Sequence, residues 1–136
     1  MGYKLGHGYY IQATVICANP VIYNSIAFKI DTGCDITTIS LNDALRLGIN
    51  FSYLGDPSKS LGISGMIPTY SIFNCMLSFD LNNFFIAEKL SHIDISRPNV
   101  NEQNWEIIKS IPSLLGIDFL SRYTIRCDKN YIYLEK

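Results

Sequence analysis

One stretch, residues 28–39 with the sequence FKIDTGCDITTI, decides the fold of this protein. It places Asp31 where a run of mostly apolar residues ends in a glycine turn. Such a run is typical of a strand, and the missing side chain of Gly33 allows another backbone to approach closely. Taken alone, Asp-Thr-Gly is also ordinary turn chemistry and occurs often by chance. Its meaning therefore depends on the rest of the chain.

The sequence around this stretch predicts a mainly β protein. Strands are expected at residues 9–16, 21–30, 36–39, 69–79, 84–87, 92–95, 114–116, 124–127 and 131–134. Short helices are expected at residues 41–47, capped by Ser40 and ended by Gly48, within residues 99–109, and from a cap at Asp118 to Tyr123. Residues 55–60 are predicted to be a loop. About nine strands with two or three short helices indicate a closed or nearly closed β structure.

The length and composition narrow the class of protein. The chain has 136 residues, so a single domain over residues 1–136 is expected. Eleven Lys and Arg against twelve Asp and Glu leave a net charge of −1, and no basic cluster stands out. Partners such as nucleic acid or a membrane surface are therefore not expected. No apolar stretch is long enough to span a membrane, and residues 1–13 lack a signal-peptide pattern, so we expect a cytoplasmic location.

The cysteines and histidines do not predict a metal site. Cys17, Cys34, Cys75 and Cys127 are far apart in the sequence and form no C-x-x-C pair. Neither histidine lies near a cysteine in the sequence. Two disulfides are an alternative in an oxidising compartment, but without a secretory signal we favour free, mostly buried thiols. No metal and no cofactor are predicted.

Two further segments give the Asp31 turn its context. Residues 61–68, LGISGMIP, interleave apolar residues with glycine, serine and proline, as in a hairpin tip with an apolar face. Residues 113–120, SLLGIDFL, follow near the C-terminal end. Taken in order, the Asp-Thr-Gly turn, the glycine-rich tip and the Leu-Leu-Gly-x-Asp-Phe-Leu segment resemble the retropepsin-like aspartic proteases, the single-domain relatives of pepsin. The resemblance covers nearly the whole chain.

This resemblance implies a closed, barrel-like acid-protease fold and an aspartic endopeptidase. Peptide hydrolysis by this route needs two adjacent carboxylates that share one proton, and their titration belongs to the pair. The chain has one Asp-Thr-Gly, so the resemblance implies a symmetric homodimer in which Asp31 and its symmetry mate form the dyad. Water is the nucleophile, and the substrate is an extended peptide or protein segment.

The same resemblance assigns roles to the other candidate residues. Thr32 would hydrogen-bond across the dimer axis, Gly33 would accept a hydrogen bond from the substrate backbone, and Asp35 would lie at the cleft wall. The flap, a hairpin that closes over the peptide, would comprise Gly62, Ile63, Ser64, Gly65 and Met66. Each has an alternative: Asp35 as a surface turn residue, and the flap as an ordinary hairpin loop.

Two departures from the family pattern leave alternatives open. Cys34 stands where Ala or Ser is usual, as either a small buried apolar residue or an oxidisable thiol beside the dyad. Residues 88–111 are surplus to the viral enzymes and would form an added helix, a dimer contact or a lid. The alternative function is a retropepsin-fold dimer with little or no activity that binds peptides or serves as a scaffold.

Overall fold

The computed structural model describes residues 2–62, 65–81 and 84–136. Strands dominate this part of the chain, and the helices are short. The strands are β1 (Gly2–Leu5), β2 (Gly8–Ala18), β3 (Val21–Ile30), β4 (Thr38–Ile39), β5 (Ser58–Gly62), β6 (Gly65–Leu81), β7 (Phe84–Ser96), β8 (Ser113–Leu115), β9 (Thr124–Cys127) and β10 (Tyr131–Glu135). The helices are α1 (Leu41–Arg46), α2 (Trp105–Ser110) and α3 (Ile117–Leu120), with a 3-10 turn at Phe51–Tyr53.

Six of the strands close into a barrel. Around the ring, β6 pairs with β7, β7 with β4, β4 with β8, β8 with β3, β3 with β2, and β2 again with β6. The last pairing, the β2–β6 seam, consists of three antiparallel pairs, Thr14 with Ser78, Val15 with Leu77, and Ile16 with Met76. Closure leaves these strands without free edges. The predicted mainly β, barrel-like fold with two or three short helices is confirmed.

The barrel interior follows from the alternation of apolar residues along the strands. In β2, Ile11, Ala13, Val15 and Cys17 are all buried, while the residues between them are more exposed. Phe28, fully buried on β3, belongs to the same core. A period of two places alternate side chains on one face of a strand, so the pattern directs these residues inward. Burial of each large apolar side chain stabilises the fold by about 1.5–3 kcal/mol.

Both chain ends lie in one sheet beside the barrel. β1 pairs antiparallel with β2 on one side and with β10 on the other, and β9 completes the edge. Tyr9 on β2 donates a hydrogen bond to the carbonyl of Asp128, in the β9–β10 turn, at 2.7 Å. The predicted C-terminal hairpin is therefore present and is joined to the N-terminal strand.

The predicted element boundaries differ from the observed ones at several places. The strands expected at residues 84–87 and 92–95 are one strand, β7, since it pairs along nearly its whole length with the long β6. Polar residues in its middle weakened the strand pattern, yet Lys89 and Ser91 point outward and Leu90 between them is buried. Residues 58–60 lie in β5 rather than in a loop, and the strand expected at residues 36–39 is confined to β4.

The predicted first helix is present as α1, and the residues at its two ends account for its bounds. The Ser40 hydroxyl accepts a hydrogen bond from the Asp43 amide at 3.2 Å, which satisfies one of the free amides at the start of α1. Gly48 follows the helix with a positive φ of 71°, a conformation that glycine adopts without strain. Residues 97–112 form a long connection that contains α2, so the helix expected within residues 99–109 is also present, with its end shifted to Ser110.

Candidate active site

The Asp31 turn begins where β3 leaves the barrel. The end of β3 pairs in parallel with β8, Phe28 with Ser113 and Ile30 with Leu115. Directly after this ladder, the Asp31 amide donates a hydrogen bond to the carbonyl of Leu115 at 3.1 Å. The last rung of the barrel therefore fixes the backbone of Asp31, and its side chain is half-buried.

The turn itself orients the Asp31 carboxylate. The Gly33 amide donates to Asp31 Oδ1 at 2.9 Å, and the Cys34 amide donates to the Asp31 carbonyl at 3.2 Å. A Cβ placed on Gly33 would lie 3.3 Å from Asp31 Oδ1, so a larger residue would crowd the carboxylate. Thr32 is exposed at the tip, and within the described residues its side chain has no hydrogen-bond partner. One amide thus holds one carboxylate oxygen in place.

A second segment, at the start of α3, crosses behind this turn. The Ile117 amide donates to the Cys34 carbonyl at 2.8 Å, and the Asp118 amide donates to the Asp35 carbonyl at 3.1 Å. The two backbones meet at Gly116, where a Cβ would lie 2.8 Å from the Cys34 carbonyl oxygen. Only glycine fits at so close an approach of two backbones. The glycine in Leu-Leu-Gly is therefore a packing requirement of the site.

Thr37 and Asp118 lock the two segments together. Asp118 Oδ1 accepts hydrogen bonds from the Thr37 amide at 3.0 Å and from Thr37 Oγ1 at 2.7 Å. Thr37 Oγ1 in turn accepts from the Gly116 amide at 3.1 Å. Thr37 is fully buried, so these hydrogen bonds replace water that is excluded there.

This pairing corrects the role predicted for Asp118. The residue at the N-cap of α3 is Gly116, and Asp118 lies in the first turn, where its carboxylate also accepts from the Phe119 amide at 2.9 Å. Sequence reasoning missed Thr37 altogether. A threonine between Ile36 and Thr38, just before a short strand, gives no signal of its own, because its partner lies 81 positions away.

Cys34 lies beside the Asp31 turn as a half-buried thiol. Its Sγ donates to the Ile36 carbonyl at 3.0 Å. Burial raises the pKa of Cys34, which keeps the thiol protonated and unreactive at neutral pH. The environment is thus consistent with a small packed side chain at this position.

Three of the five predicted flap residues, Gly62, Gly65 and Met66, fall on the β5–β6 hairpin. Gly62 ends β5 and lies opposite Gly65, the first residue of β6, and Met66 lies one pair further along the ladder. Ile63 and Ser64 lie outside the described residues. The remaining candidates, Asp31 to Gly33 and Asp35, are gathered in the turn after β3, where the Asp35 side chain is exposed.

The long connection between β7 and β8 packs against α1. Trp105 of α2 lines a groove together with Leu41 and Leu45 of α1 and Tyr70 of β6. Of the three roles considered for residues 88–111, the added helix is present, while the first nine of these residues belong to β7. That part of residues 88–111 forms a dimer contact or a lid over the cleft stays a prediction.

Neither a metal centre nor a membrane-spanning helix is found in the part of the chain that the structure describes. Within residues 2–62, 65–81 and 84–136, no group of three or more His, Cys, Asp or Glu side chains is placed to hold a metal ion. In the same part of the chain, no helix combines the length and apolar character needed to cross a membrane.

Two solved protease structures are similar to this chain over most of its length. A retropepsin-like aspartic protease from Rickettsia conorii is similar with a TM-score of 0.60 at 20% identity, over 98% of this chain and 97% of that one. The EIAV protease, solved with the inhibitor HBY-793, is similar with a TM-score of 0.50 at 15% identity, over 90% and 93% of the two chains. No family model and no curated protein matches the sequence. The chain has the retropepsin fold, as its motifs predicted.

Proposed function

We propose that this chain is an aspartic endopeptidase that acts as a homodimer, with Asp31 of each protomer supplying one carboxylate. The observation that carries the proposal is the Asp31 carboxylate, anchored by the Gly33 amide at 2.9 Å at the end of a barrel strand. The fold shared with retropepsin-like aspartic proteases supports the same reaction class. The proposal includes residues 1–136 as one catalytic domain.

The requirement for a second copy follows from the carboxylates of a single chain. Asp118 is the acidic residue of the neighbouring segment, and its Oδ1 is occupied by Thr37 and the Phe119 amide. Asp35 is exposed, and in the described residues it contributes its carbonyl, not its carboxylate, to the turn. Neither serves as a partner for Asp31. A two-fold axis through the site provides an equivalent group from the same gene.

The chemistry requires the two Asp31 side chains in different protonation states. The ionised carboxylate takes a proton from a bound water, whose oxygen attacks the scissile carbonyl carbon. The protonated carboxyl donates its proton to the carbonyl oxygen, giving a neutral tetrahedral intermediate. Proton transfer to the leaving nitrogen then breaks the C–N bond. Like charges at hydrogen-bond distance keep one proton on the pair, which maintains this asymmetry.

The remaining candidates position the substrate and the dyad. The exposed Thr32 side chain is free to hydrogen-bond the partner's turn and keep the carboxylates aligned. In this proposal the Gly33 carbonyl accepts a hydrogen bond from the main chain of an extended peptide, and Asp35 lies at the cleft wall. Gly62, Ile63, Ser64, Gly65 and Met66 close over that peptide and exclude water.

The test is cleavage of a mixed peptide library from acid to neutral pH, on protein shown to be dimeric by sedimentation. We expect wild type to cut, Asp31→Asn to lose the cuts, and the matched control Asp56→Asn, in an exposed loop, to retain them. No cuts by dimeric wild type, or equal cutting by Asp31→Asn, refutes the proposal. The first of these outcomes favours the peptide-binding dimer.

A mixing experiment tests the shared site directly. Wild type is equilibrated with an equal amount of Asp31→Asn, and activity per wild-type chain is measured. Random pairing leaves half of the wild-type chains in wild-type dimers, so activity falls to about half if each site needs both carboxylates. Activity that does not change on mixing would show that each protomer works alone.

A further inference from the structure

Two cysteines face each other inside the barrel, away from the Asp31 turn. Cys17 on β2 and Cys75 on β6 are both buried, with 4% and 1% of their surfaces exposed. Their sulfurs lie 2.7 Å apart, and both residues are free thiols. They are separated by 58 positions in the sequence, so their approach is a product of barrel closure.

The strand register places these residues directly opposite one another. The β2–β6 seam pairs Thr14 with Ser78, then Val15 with Leu77, then Ile16 with Met76. Continued by one residue, the same register sets Cys17 opposite Cys75. Cβ atoms of directly opposed residues lie about 4.5–5.5 Å apart, and a disulfide requires about 3.5–4.5 Å. A shift of about 1 Å is therefore enough to bond them.

The neighbours of this pair on the adjoining strands are apolar. Cys17 is paired on β3 with Ile22, and Cys75 is paired on β7 with Leu90, both buried and apolar. The Cys17 thiol donates to the Cys75 sulfur, and this hydrogen bond raises the pKa of Cys17 and lowers that of Cys75. Cys75 is therefore the thiol that ionises first.

Access for a small oxidant exists at one end of the seam. Cys17 is the last residue but one of β2, and exposed Asn74 adjoins Cys75. A groove lined by Asn19, Ile72, Phe73 and Asn74 passes this end. Local opening of the end of β2, which lies one residue beyond Cys17, would expose the sulfurs from this groove, because local openings cost less than global unfolding.

We propose that Cys17 and Cys75 form a reversible internal disulfide that adds a covalent fourth rung to the β2–β6 seam. A peroxide oxidises the Cys75 thiolate to a sulfenic acid and leaves as an alcohol or water. The Cys17 sulfur then attacks the Cys75 sulfur, the S–S bond forms, the S–O bond breaks, and water leaves. A thiol reductant reverses the step. This site is independent of the proposed peptidase activity.

The test uses the folded protein, with Cys127→Ser as background because Cys127 is exposed and would link separate chains. Reduced protein is treated with hydrogen peroxide under native conditions, and residual thiols are then alkylated in denaturant. We expect a loss of about 2 Da before alkylation and a Cys17–Cys75 peptide in a non-reducing digest. The melting midpoint should rise by roughly 5–15 °C and return on reduction.

The control variants are Cys17→Ala and Cys75→Ala, neither of which should show the mass loss or the rise in melting midpoint. If either fails to fold, the peptide map of the background protein decides alone. The proposal is overturned if both cysteines are still fully alkylated after oxidation, if Cys34 is the main partner of either one, or if the link forms only in denaturant.

Discussion

The hydrogen bonds between Thr37 and Asp118 should contribute a coupling energy that a double-mutant cycle can measure. Thr37→Val removes the hydroxyl that donates to the Asp118 carboxylate and accepts from the Gly116 amide. One lost hydrogen bond to a charged group and one buried amide left without its partner give an expected loss of roughly 2–4 kcal/mol in unfolding free energy. Val matches the shape of Thr, so little of this loss comes from a cavity.

Asp118→Ala removes the acceptor of three hydrogen bonds, from the Thr37 amide, the Thr37 hydroxyl and the Phe119 amide. The expected loss is roughly 3–5 kcal/mol, because three donors lose their acceptor at about 1–3 kcal/mol each and the half-buried site leaves part of this to water. Since the hydroxyl contact is counted in both single variants, the double variant should lose about 1–3 kcal/mol less than their sum.

Urea denaturation followed by fluorescence of the single tryptophan measures all four proteins of the cycle. Thr124→Val and Asp56→Ala, at exposed positions, are the matched controls and should each change stability by less than about 0.5 kcal/mol. If the loss in the double variant equals the sum of the two single losses within about 0.5 kcal/mol, the two side chains act independently and the reasoning is refuted.

Three further outcomes follow from the structure. Gly116→Ala should destabilise the protein by about 1–3 kcal/mol in urea denaturation, because its Cβ would meet the backbone of Cys34, and unchanged stability would contradict this. Glu88, bound to Lys136, Tyr123 and Arg122, has its pKa lowered to about 2, so it stabilises the fold above pH 4.5, and this contribution is lost as the pH falls towards 2. The full shift is worth about 3 kcal/mol of unfolding free energy, which solvent screening reduces to about 1–2 kcal/mol. Glu88→Gln should therefore make the unfolding free energy fall less steeply between pH 4.5 and 2. An unchanged slope in this pH range would contradict the pairing. If the Asp31 pair lies at the dimer axis, sedimentation should show association weakening as pH rises and both carboxylates ionise, and Asp31→Asn should abolish that trend.

The sequence predicted those parts of the fold that depend on local pattern. The alternation in β2 and β3, the Ser40 cap, the Gly48 stop and the Asp31 turn were all visible in it. The closed barrel was predicted from the family motifs, because the turn after β3 and the segment around Gly116 occur together in the retropepsin-like pattern. Local patterns of this kind act over a few residues, which is the range that inspection of one sequence covers.

The parts that were missed depend on pairings between distant segments. Thr37 carries no sign that it is buried, because its partner Asp118 is 81 residues away. Asp118 was assigned to the nearest helix start, where its carboxylate does accept one amide, while its other hydrogen bonds reach across to the Asp31 turn. The sequence did not predict β7 as one continuous strand, because the polar residues in its middle are held in the sheet by pairing with the distant strand β6. The facing of Cys17 and Cys75 follows from barrel register, which single-chain spacing does not specify.

The parallel pairing of β3 with β8 also constrains the order in which the molecule assembles. The β2–β3 and β6–β7 hairpins join neighbours in the sequence, so their loops close early and at small entropic cost. The pairing of Ile30 with Leu115 instead forms late, because it closes a loop that contains most of the chain. We therefore expect the Asp31 backbone to reach its final position against Leu115 in one of the slowest steps of folding. A partly folded chain would already contain both hairpins, but its Asp31 turn would not yet be attached to β8.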